Sequence, residues 1–126
     1  MTEKVDEDLR LADALYVAGV YNSLLRHAND VQIAEIESLI NVQGIIEASQ
    51  TSIKLTPEYF TCLLYRLHTG TTVLSTVEKG PAVHFDSKLP MLDAVGTLSE
   101  DRKTMYVSVV NRAEDVDVET TLNIKG

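Results

Sequence analysis

The hydrophobic period of this chain changes once, near Gly70, and that change limits the folds open to it. Before Gly70 apolar residues recur mainly at helical spacing; after it they fall in short β-branched runs separated by turn formers. Leu11, Ala14, Leu15, Ala18 and Leu25 mark a helix over Leu9 to Leu25. Val17, Val20 and Leu24 widen its apolar stripe so far that cover is expected on most sides. Asp6, Glu7 and Asp8 near its start and Arg26 and His27 near its end both match the helix dipole, so it should stop between His27 and Asn29.

The next run, "DVQIAEIESLINVQGII", is too apolar and β-branched for a surface loop, and Val31 to Ile36 is expected to form a buried strand. Ser38 to Ile46 fits no single state, and "EASQTS" reads as a loop. Thr56-Pro57-Glu58 then opens a second helix. The threonine hydroxyl can accept from first-turn amides, proline suits the first helical position, and an acid suits the positive end. That helix should run to about His68, with Gly70 as its stop.

"TTVLSTVE", "PAVHF", "LDAVGTLS", "TMYVSVVN" and "DVDVETTLNI" are read as antiparallel strands, with turns at Lys79-Gly80-Pro81 and Ser99-Glu100-Asp101. Leu92 to Val110, folded around "SEDRK", is the best hairpin candidate. In the last run Val116, Val118, Thr120, Leu122 and Ile124 face one way, and Asp115, Asp117 and Glu119 face a solvated side. The order of elements is therefore α+β. A single parallel-type strand between two helices is unusual, because such strands are normally covered on both faces within a larger sheet or barrel.

Charge and composition exclude several functions. The net charge is −8, from 19 acids against 11 scattered Lys and Arg, which argues against nucleic acid as a partner. Cys62, the one cysteine, lies in an apolar helical stretch and is expected to be a small buried hydrophobe. His27, His68 and His84 sit on three different elements without ligand spacing, so no metal site and no cofactor are expected. There is no G-x-S-x-G turn and no Gly-rich phosphate loop. Tyr59, Phe60, Leu63, Leu64 and Leu67 follow helical spacing and are expected in a core. With no leader-like apolar segment and no membrane-length run, the expectation is a soluble, cytoplasmic chain without a membrane partner.

Glu35 and Glu37 are the one pair of acids that invites a catalytic reading, since residues two apart share a strand face. Retaining glycosidases, however, need carboxyl groups about 5 Å apart on opposite sides of the scissile bond. Neighbours on one strand face approach a sugar from the same side.

The phrases "DALYVAGVYNSLLRHANDVQIAEIESLINV", "LTPEYFTCLLYRLHTGTTVL" and "LDAVGTLSEDRKTMYVSVVNR" resemble the C-terminal part of α-L-arabinofuranosidases of glycoside hydrolase family 51. The resemblance implies two helices and one strand like the last part of a (β/α)8 barrel over 1–70, then a partial antiparallel β-sandwich over 71–126. It implies retaining hydrolysis of terminal α-L-arabinofuranosyl groups in arabinan or arabinoxylan by the whole enzyme. The family's acid/base and nucleophile glutamates lie on barrel strands four and seven, upstream of the matching region, so no catalytic residue is expected here. Ser38, Asn41 and Gln43 follow the eighth strand, at the barrel end that faces the sugar, and are the candidate substrate contacts. Ser38 stands where the family commonly has a glutamine. Asn41 matches a frequent asparagine, and tying down loop backbone is the role weighed against sugar contact.

A second expectation belongs to a different class. A wide apolar helix stripe and an open sheet edge suit a stand-alone interaction module that self-associates, or a partner chain that supplies the rest of the barrel. "TTLNIKG" stops where the family's sandwich continues, which adds to the expected open edge. With no tryptophan, and only five tyrosines and two phenylalanines, a sugar-stacking platform on the sandwich is not expected.

Overall fold

A computed structural model describes residues 11–35, 38–84, 86–113 and 115–125. Its elements in order are α1 (Leu11–Arg26), β1 (Ile46–Ala48), β2 (Ile53–Leu55), α2 (Pro57–Leu67), β3 (Thr72–Leu74), β4 (Ala82–Val83), β5 (Asp86–Pro90), β6 (Leu92–Leu98) and β7 (Met105–Asn111). Two helices with a short hairpin between them, and further antiparallel sheets after them, make the expected mixed α+β class.

α1 closes as expected: the His27 amide donates to Ser23 and Leu24, and Ala28 donates to Leu25. The acids at 6–8 lie outside the described residues. Cover on most sides is not found, because α1 buries Ala14 and Asn22 while Leu11, Tyr16 and Val20 stay exposed. One face of α1 meets α2 and the other neighbour is the sheet of β6 and β7.

The expected buried strand at Val31 to Ile36 is corrected. Residues 31–35 pair with nothing as a strand, and Ile33 is 78% exposed. Ile36 and Glu37 lie outside the described residues. A buried parallel-type strand is held by neighbours on both edges, and none of the described residues runs beside this one. The "EASQTS" loop is also shorter than expected: β1 and β2 form an antiparallel hairpin, and only 49–52 is loop. Its turn is fixed by Ser49, whose amide donates to Ser52 O at 2.8 Å and whose hydroxyl accepts from the Ser52 amide at 3.0 Å.

α2 begins where its sequence signals place it. Thr56 is extended (φ −84°, ψ 166°), accepts from the Tyr59 amide at 3.4 Å, and donates its own hydroxyl to Ile45 O at 2.9 Å. Tyr65 buries against α1, with its ring stacked on Tyr21 at 5.0 Å. The expected core stripe on this helix is corrected. Phe60, Leu64 and Leu67 are 56%, 54% and 58% exposed, because α1 covers only the Tyr65 side. Gly70 ends the turn for a tertiary reason: a Cβ there would collide with the Leu98 carbonyl, and its amide donates to Thr97 Oγ1 at 2.8 Å.

β3, β6 and β7 form one antiparallel sheet in that order, and β6 with β7 is the expected hairpin. Asp93, Val95 and Thr97 alternate onto the face toward the helices and are all buried. The expected strand "TTVLSTVE" shortens to Thr72–Leu74 because side chains take over the ladder. Thr76 Oγ1 accepts from the Gly96 amide at 3.0 Å and Glu78 Oε1 from the Ala94 amide at 2.7 Å. β4 and β5 form a small separate hairpin with a bulge; β5 was not expected. The expected last strand is corrected too: 115–125 carries no strand pairing among the described residues, and Val116, Leu122 and Ile124 are exposed.

Candidate functional site

Ser38, Asn41 and Gln43 lie in one exposed loop whose backbone is left-handed at four positions: φ is 61° at Ser38, 56° at Asn41, 46° at Val42 and 64° at Gln43. Asn tolerates this region; a β-branched valine does so only under strain. The chain holds the shape by crossing close to itself. The Gly44 amide donates to Asn41 O at 2.7 Å, and a Cβ on Gly44 would meet the carbonyls of Ser38 and Asn41. Only glycine fits there.

Asn41 bonds the chain itself through both ends of its amide. Its Oδ1 accepts from the Ala48 amide at 2.7 Å and its Nδ2 donates to the Ala48 carbonyl at 3.1 Å. Its backbone amide donates to Ile46 O at 2.8 Å. The side chain therefore clamps the loop to β1, the loop-tying role weighed at the outset, though from an exposed position. Ser38 and Gln43 offer a hydroxyl and an amide beside it, groups that can bond a sugar. Glu35 is exposed, and its companion Glu37 lies outside the described residues.

The most completely built polar cluster lies elsewhere, between α1 and β6. Asp93, 1% exposed, accepts from Arg26 Nη1 on one oxygen at 2.7 Å and from Arg112 Nη2 on the other at 2.6 Å. Asn22, fully buried, donates to the Asp93 carbonyl at 3.1 Å, and Tyr65 donates to Asn22 Oδ1 at 2.6 Å. Arg112 also donates to Pro90 O at 3.1 Å. Gly19 leaves room on α1 for the Arg112 guanidinium, 3.6 Å from where a Cβ would stand. Burial, then the nearby Asp93 charge, pushes the Tyr65 phenol up to about 12. Burial, then a hydrogen bond to Cys62, does the same to Tyr21.

An open depression of about 500 Å³ borders this cluster, with Glu78 and Asp93 among its walls. Asp93 is neutralised by two guanidinium groups, so the arrangement joins helix to sheet rather than presenting an acid to a ligand. The signal for it was in the sequence: an acid at 93 in phase with Val95 and Thr97 inside a strand. Among the described residues no group of three or more His, Cys, Asp or Glu could hold a metal ion, and no helix is long and apolar enough to cross a membrane.

Two helices tied by buried polar groups to an antiparallel sheet define a mixed α+β module. Residues 2–126 match the family model for the α-L-arabinofuranosidase C-terminal domain, and the chain belongs to that family. Solved structures agree. An α-L-arabinofuranosidase from Thermotoga maritima in complex with arabinose is 26% identical, with a TM-score of 0.77 over 88% of this chain and 26% of its own. A thermostable family 51 enzyme from Thermotoga petrophila is 30% identical, with a TM-score of 0.73 over 86% of this chain and 25% of its own. A family 51 enzyme from Bifidobacterium longum is 25% identical, with a TM-score of 0.78 over 89% of this chain and 23% of its own. The chain thus spans about a quarter of the length of these enzymes. No curated protein matches it.

Proposed function

We propose that this chain serves an α-L-arabinofuranosidase as a non-catalytic C-terminal part, closing the end of the sugar-binding barrel and bracing it against the sheet. The family match over residues 2–126 is the observation that carries this reading. In that setting the rigid loop of Ser38, Asn41 and Gln43 faces the glycan, with Asn41 holding the loop and the other two offering contacts. The acid/base and nucleophile come from outside these 126 residues, and the substrate is a terminal α-L-arabinofuranosyl group cleaved with retention. Hydrolysis belongs to the assembled enzyme, in the cytoplasm. The purified 126-residue chain is accordingly expected to release no aryl alcohol from an aryl α-L-arabinofuranoside above the uncatalysed rate. Turnover that follows the protein through purification would overturn the reading.

A second reading is favoured by the exposed Phe60, Leu64 and Leu67 on α2. An apolar face of that kind suits a module that associates with itself or with a chain supplying the barrel. The oligomeric state of the pure chain tests it.

A further inference from the structure

We draw no further inference here: the strongest candidate, the buried Glu58 side chain in the first turn of α2, whose Oε2 has no hydrogen-bond partner among the described residues, is a lone acid at a helix N-terminus, and nothing among the described residues shows what it would hold.

Discussion

Asp93 shows how one residue can hold two layers together. Its carboxylate is buried between Arg26 and Arg112, so removing it strips both guanidinium groups of their shared acid, while Asn22 keeps its bond to the main-chain carbonyl. Asp93→Ala is expected to destabilise the chain by about 3 kcal/mol, read as a fall in the urea midpoint. The tyrosines give a pH signature. Tyr21 and Tyr65 are pushed up to about 12, while an unfolded phenol titrates near 10. The folded state therefore holds both protons more tightly. Their stabilising effect is complete below about pH 10 and is lost as pH rises from there through about 12. Urea melts across that window should show the decline, and Tyr65→Phe should flatten it. Asp93 was legible in principle from its phase with Val95 and Thr97. Its partners were not, because Arg26 and Arg112 lie 67 and 19 residues away and look like ordinary surface cations in the sequence.

At the scale of elements, what could be read locally was read well. The start of α2 follows from three adjacent residues, and Thr56 is also fully buried, bonding both the Tyr59 amide and Ile45 O. Thr56→Ala should cost about 1–2 kcal/mol, seen as a lower thermal midpoint. Strands fared differently because a strand is defined by its neighbour. The β6–β7 hairpin carries its partner within a few residues and was legible. Val31 to Ile36 and Asp115 to Ile124 have strand composition without a partner among the described residues, so their patterns outran the structure. The three-residue strands of β1 and β2 fall below the length at which alternation can be seen. Of the candidate loop, Asn41 was legible as a loop tie; the left-handed backbone of Val42 was not, since nothing about valine announces it.

At the scale of the whole molecule, α1 belongs to both halves. It stacks Tyr21 on Tyr65 of α2 and lends Asn22 and Arg26 to β6, so neither half is complete without it. Helix and sheet should therefore unfold together. Far-ultraviolet ellipticity and tyrosine fluorescence are expected to give coincident urea transitions, and separated midpoints would show the joint to be weaker than its geometry implies.

The close approach of Gly70 to Leu98 and the reach of α1 across to Asp93 also bear on how such a module can be exchanged between proteins. A crossover placed at Gly70, where the periodicity changes, would separate Arg26 from the Asp93 carboxylate and Asn22 from the Asp93 carbonyl. Shuffling that keeps the junction intact has to carry α1 along with the sheet, so the heritable unit starts ahead of that helix rather than at the visible seam.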